Sequence, residues 1–111
     1  MTTLQEIAQM VYRVHAQYCA AHDIRPSPDW YVLKLQEEVG EVSAAHLAAD
    51  GRHRHEGRPD AVAFELADVV CFSILVAREH GIDLDAAIRD KWAVYDRPET
   101  AANGSAADER L

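Results

Sequence analysis

Five acidic side chains on two short segments could do chemistry. LQEEVGEV carries Glu37, Glu38 and Glu41, and FELADVV carries Glu65 and Asp68. Residues three apart lie on one face of a helix, so Glu38 pairs with Glu41 and Glu65 with Asp68. Asp68 is flanked by Leu66, Ala67, Val69, Val70, Cys71, Phe72, Ile74, Leu75 and Val76. A helix this apolar is expected to be largely buried, with its two carboxylates facing a neighbouring helix. A buried carboxylate without a partner is costly and protonates instead of staying charged. Four of them converging make sense around a divalent cation. Carboxylate oxygens with no His or Cys among them select a hard ion, Mg²⁺ with Mn²⁺ as a substitute. The competing reading is a set of solvated surface acids, and for residues 37–41 alone it would win. A ferritin-like di-iron site is disfavoured, because that bundle uses Glu-x-x-His and no Glu here has a His three residues later.

The elements that must position these acids are all helical. Leu4, Ile7, Val11, Val14, Tyr18 and Cys19 recur at helical spacing, and Thr3 with Glu6 suits a capping box, predicting a first helix from Leu4 to His22. Ser27 as N-cap and Pro28 at the first helical position open a second helix. It runs to about Ala49, carries an apolar stripe of Val32, Leu35, Val39 and Val42, and stops at Asp50-Gly51. A third helix starts near Pro59 or Asp60 and ends at His80-Gly81. A fourth runs from Asp83 to about Tyr95, with Leu84, Ile88, Trp92 and Tyr95 on one face. No strand is predicted. The expected fold is all-α, an antiparallel four-helix bundle-like domain over residues 1–97. Residues 98–111, PETAANGSAADERL, lack periodicity and are expected to be a disordered tail.

Composition narrows the function classes. The 111 residues suit one domain, and 49% are hydrophobic, enough for a core. A formal charge of −8 argues against binding nucleic acid, which needs a basic face. An acidic protein still takes a phosphorylated small molecule where a metal inverts the local charge. Cys19 and Cys71 form no metal or redox motif and read as small buried hydrophobes. With no signal peptide or membrane span expected, the reading is a cytoplasmic protein. Leu33, Leu47, Phe72, Leu75 and Trp92 add apolar surface beside the main stripes. A homodimer or dimer of dimers is therefore expected, with the active site shared between chains.

The pattern Glu37-Glu38-x-x-Glu41 followed by Glu65-x-x-Asp68 resembles the MazG-like all-α nucleotide pyrophosphohydrolases, as does the longer string DWYVLKLQEEVGEV. The resemblance spans about Leu4 to Arg97. It implies a Mg²⁺-dependent cut between the α and β phosphates of a nucleoside triphosphate, giving monophosphate and pyrophosphate. It maps the metal ligands to Glu38, Glu41, Glu65 and Asp68, and lets Glu37 orient water or a second ion. The family often carries Lys, Asn and Arg near the end of helix four. This chain has Lys91 and Arg97, with Tyr95 at the Asn position. The phosphoribosyl-ATP pyrophosphatases of histidine synthesis share the carboxylate pattern and are the alternative activity. A non-enzymatic helical module binding metal, nucleotide or a partner is the alternative of another class.

In the chemistry so implied, the cation offsets phosphate charge and lowers the pKa of a bound water, and Glu37 or Glu41 takes the proton. Trp30, two turns before Glu38, either stacks on a nucleobase or packs the junction of helices one and two. Lys34 is either a phosphate contact or, the favoured reading, a surface ion pair. Lys91, Tyr95 and Arg97 are the substrate contacts that family position suggests. The cluster Arg52, His53, Arg54, His55 and Arg58 lacks metal-ligand spacing and reads as a basic solvated loop, with a phosphate-sensing lid as its functional alternative.

Overall fold

The computed structural model describes residues 2–97, so the expected disordered tail lies outside the described residues. Among those residues the chain is all-helical: α1 (Leu4–Ala21), α2 (Pro28–Ala49), α3 (Ala61–Glu79) and α4 (Leu84–Trp92), then a 3₁₀ turn over Ala93–Tyr95. No helix is long and apolar enough to cross a membrane.

The helix ends follow from side chains written in the sequence. Thr3 accepts from the Glu6 N–H, although its hydroxyl also donates to Glu6 Oε1, so this is half of a capping box. Ser27 accepts from the Trp30 N–H, with Pro28 placed where no N–H is needed. Asp83 accepts from the Ala86 N–H and opens α4. Gly51 and Gly81 hold φ of 81° and 65° just after α2 and α3, a conformation in which a side chain would be strained. The fourth helix is shorter than expected, because after Trp92 the chain tightens into the 3₁₀ turn that carries Tyr95.

The main packed pair is α2 on α3, with α1 laid against α3. Their register runs antiparallel. Trp30 lies 6.1 Å from Phe72, ring to ring, the Lys34 ammonium lies 5.9 Å from the same Phe72 ring, and Glu38 meets Glu65 and Asp68. The core is small: Val11, Tyr31, Ile74 and Leu75 at its centre, with Leu4, Ile7, Cys71, Phe72 and Leu84 packed around them.

Several residues of the expected stripes lie outside it. Val14, Tyr18, Val32, Val39, Ile88 and Trp92 are exposed, and so are Phe64, Leu66 and Val70 of the apolar α3. Of the α3 residues, only Ile74, Leu75 and Ala77 are fully buried. A helix with apolar residues all round needs neighbours on every side, and α3 has α2 on one side and the C-terminal part of its length covered by α1. Of the further apolar residues singled out, Leu75 is buried, Leu47 and Phe72 are half-buried, and Leu33 is exposed at 67%.

Because the core is thin, single truncations weigh heavily. Leu75→Ala, at a position 3% exposed, is expected to cost about 2–5 kcal/mol, a large part of a typical ~5–15 kcal/mol domain stability. Ser27→Ala is expected to cost about 1 kcal/mol through loss of the α2 cap. Urea unfolding followed by circular dichroism measures both.

Candidate metal centre and cavity

Glu38 rises from the middle of α2, and Glu65 and Asp68 lie one turn apart on the first half of α3. The antiparallel register sets them opposite each other. Each of the three offers a carboxylate oxygen, and these oxygens all lie within 4.8 Å of one another. Glu38 and Glu65 are half-buried and Asp68 is exposed. An octahedral cation with bonds of about 2.1 Å holds its ligands about 3 Å apart in cis and about 4.2 Å in trans. The limit of 4.8 Å is wider than these separations, so the three side chains would have to draw closer to share one ion. Three oxygens and no nitrogen or sulfur fit a hard divalent ion.

Electrostatics show the strain of this convergence. Burial raises the Glu38 carboxyl above its ordinary range, and the neighbouring Asp68 charge adds to the effect. Lys34 opposes it, while Glu65 and Glu37 reinforce it. A cation at this point would offset the charge that burial and Asp68 disfavour.

The other acids of the segment sit differently. Glu41 is exposed and brings no oxygen into the 4.8 Å group. Its i, i+3 spacing from Glu38 puts it on the same face, one turn along. Glu37 is exposed and ion-paired with Lys34 at 3.2 Å.

Beside the three carboxylates lies a cavity of about 370 Å³, walled by α1, α2 and α3. Glu38 and Asp68 are part of its lining, together with Lys34, Trp30, Phe72 and His15. Lys34 stands 6.0 Å from the Trp30 ring and 5.9 Å from that of Phe72. It is both the surface ion pair expected for it and a cation at the cavity wall. Trp30 packs 5.8 Å from His15 of α1, at the junction of α1 and α2, and also lines the cavity.

Comparison of the chain with protein-family models, with curated proteins and with solved structures finds no match. Geometry and chemistry alone carry the reading of this site.

The structure brings together Glu38, Glu65, Asp68, Trp30 and Lys34. It does not bring in Lys91, Tyr95 or Arg97, which lie on α4 and in the turn and segment after it, and none of which lines the cavity. The basic loop is exposed apart from a half-buried His53, and its charges are spent locally: Arg52 pairs with Asp50 at 2.6 Å and Arg58 with Asp60 at 3.2 Å. Sequence reasoning missed His15 and Met10, which it placed in no stripe, and took Phe72 only as added apolar surface, whereas all three line the cavity. Helical spacing does not tell a core wall from a cavity wall.

The raised Glu38 pKa makes a signed prediction. An acid whose folded-state pKa is raised binds protons more readily when folded. Its ionised form therefore weakens the metal-free fold above that pKa, and the deficit is recovered as pH falls toward the unfolded value. Glu38→Gln is expected to melt higher than wild type at pH 7 without metal, with the gap closing as pH falls toward the ordinary carboxylate range. Melting temperatures of both proteins in EDTA across pH 4.5–7.5 check this.

Proposed function

We propose that this protein is a Mg²⁺-dependent nucleotide pyrophosphohydrolase. It would cleave a nucleoside triphosphate between the α and β phosphates, in nucleotide-pool control or removal of unwanted nucleotides. The observation that carries the reading is the juxtaposition of the Glu38–Glu65–Asp68 oxygens with an aromatic-walled cavity that also holds one lysine. A triphosphate nucleotide needs both parts: a hard-cation site for the phosphates and a largely apolar pocket with few polar groups for the base.

Glu38, Glu65 and Asp68 would hold the cation, with Glu41 one turn along as the fourth candidate ligand. A cation there would supply charge neutralisation and a more acidic water. Lys34 contacts a phosphate oxygen from the cavity wall, and Trp30 stacks on the base. Glu37 or Glu41 takes the proton of the attacking water as pyrophosphate leaves. Positioning and charge stabilisation, more than covalent chemistry by the protein, supply the rate. Lys91, Tyr95 and Arg97 would act only from a second chain or after a movement of α4.

A second copy of the chain fits this reading. Met10, Val14 and Tyr18 stand half-exposed along α1 at the mouth of the cavity, and Val39 and Val70 are exposed on α2 and α3. A partner covering these residues would close a four-helix arrangement around the acids as a homodimer or a dimer of dimers. Light scattering at micromolar concentration is expected to give at least twice the chain mass. A strict monomer contradicts the shared site.

The activity test is pyrophosphate release across a panel of ordinary and modified nucleoside triphosphates plus phosphoribosyl-ATP, with Mg²⁺ and with EDTA. Turnover of a triphosphate that EDTA stops is the expected result. Turnover of phosphoribosyl-ATP alone selects the histidine-synthesis activity, and silence across the panel selects a non-enzymatic module. Asp68→Asn is expected to lower activity by roughly 10²–10³-fold, the scale on which removing one electrostatic stabiliser acts. Mg²⁺ at a hundredfold excess over its Kd should stabilise wild type by about 2.7 kcal/mol and Asp68→Asn far less. An equal metal-induced melting shift in the two proteins sinks the metal centre.

A further inference from the structure

The hydroxyl of Tyr31 ties α2 to α1. Tyr31 belongs to the first turn of α2 and is 4% exposed. His15 of α1, itself 9% exposed, places Nε2 at 2.8 Å from the Tyr31 oxygen. Arg78 of α3 lies close by, and its charge acts on both Tyr31 and His15. Its guanidinium carbon stands 4.3 Å from the Tyr12 ring centre on α1, a cation–π contact between α3 and α1.

The Tyr31 hydroxyl can donate to a neutral His15 whose Nε2 is unprotonated. Cys19 Sγ stands 3.5 Å from Nε2 and 3.8 Å from Nδ1, which places it over the ring and in line with neither nitrogen's hydrogen. An imidazolium has no lone pair for the phenol, so protonating His15 ends the bond in which Tyr31 donates. The surroundings agree: burial, then Arg78, holds His15 below its ordinary value, against Glu79, which raises it.

Trp30 depends on this chain. Its ring stands edge-on to Tyr31 at 5.3 Å and 90°, and lies 5.8 Å from His15. Neither Tyr31 nor Arg78 lines the cavity, whereas Trp30 and His15 do. We propose that the hydrogen-bonded chain of Tyr31 and His15 is a positioning device that fixes Trp30 as the rigid wall of the cavity and thereby sets how tightly a planar ligand is held. The part concerning ligand affinity rests on the nucleotide reading of the cavity; the part concerning Trp30 does not.

The charged and titratable groups facing His15 are Arg78 and Glu79 from α3, Tyr31 from α2 and Cys19 from α1, and Lys34, Glu38 and Asp68 share the cavity with it. Because the folded-state pKa of His15 is lowered, the chain is whole above the ordinary histidine value. It is lost as pH falls through the folded one.

The test uses the full chain with Trp92→Phe, so that emission from the two-tryptophan protein reports Trp30 alone, and acrylamide as the quencher. Tyr31→Phe keeps the ring and removes the hydroxyl, and His15→Gln is the second variant; circular dichroism confirms that each is folded. Tyr31→Phe is expected to raise the quenching constant of Trp30 at least twofold at pH 7.5. In the Tyr31-containing protein the quenching constant is expected to climb between pH 7.5 and 5.5, and in His15→Gln to stay flat over that range. With a substrate from the nucleotide panel, Tyr31→Phe is expected to raise KM several-fold more than it lowers kcat. Unchanged quenching in Tyr31→Phe, or an equal pH response in His15→Gln, overturns the positioning role. A kcat loss with KM unmoved overturns the affinity role. A silent panel sinks the pyrophosphohydrolase reading and leaves quenching to decide the role of the chain.

Discussion

α2 and α3 pack antiparallel so that Trp30 and Lys34 meet Phe72, and Glu38 meets Glu65 and Asp68. A helix rises about 1.5 Å per residue and turns once in 3.6, so these meetings are not independent. Slipping one helix by a single residue would rotate every side chain by about 100° and scatter the acids, the aromatic wall and the polar chain together. The apolar contacts of Ile74 and Leu75 with Val11 and Tyr31 hold that register. Burying each such side chain contributes about 1.5–3 kcal/mol.

Against this stands the repulsion of the acids. Two unit charges 4.8 Å apart repel by about 0.9 kcal/mol in water and about 3.5 kcal/mol at the effective dielectric of a protein surface. Asp68 is exposed, which places its share toward the lower figure. Glu38 is half-buried, and burial together with the neighbouring Asp68 charge raises its carboxyl above the ordinary range. The packing is strong enough to keep the acids together without a cation, at a cost that the proposed metal would reverse. Converging like charges are the kind of local conflict that a fold tolerates at a functional site and compensates elsewhere.

The polar chain through Tyr31 solves a different problem. A core this small cannot rigidify its edges by hydrophobic contact alone, because apolar packing is non-directional. A hydrogen bond with a defined donor and acceptor is directional, and one left unmade inside a protein is costly. Placing such a chain beneath Trp30 gives the cavity wall an orientation that the half-exposed Met10, Val14 and Tyr18 at the mouth do not supply.

Much of the fold was legible in the sequence because its signals are local. Thr3, Ser27 and Asp83 cap helices with their own side chains, and Gly51 and Gly81 adopt the left-handed turn after them. The i, i+3 spacing put Glu65 and Asp68 on one face of α3 before any tertiary contact was known. What spacing could not state was which acids meet across helices. Glu38 joins the α3 pair while Glu41, one turn along the same face, stands outside it, because inter-helix distance depends on register and crossing as well as on periodicity. Burial was equally non-local: Val14 and Leu75 look alike in an apolar stripe, yet one is exposed and the other is core, according to which neighbour the fold brings over them. The sequence by itself determined the helices, their ends and the acidic faces, since those are set within a few residues of chain. Only the tertiary structure decided that three acids converge, that Lys34 and Trp30 stand beside them around a cavity, and that His15 is bound to Tyr31 from sixteen residues away, since each of these is a meeting between helices.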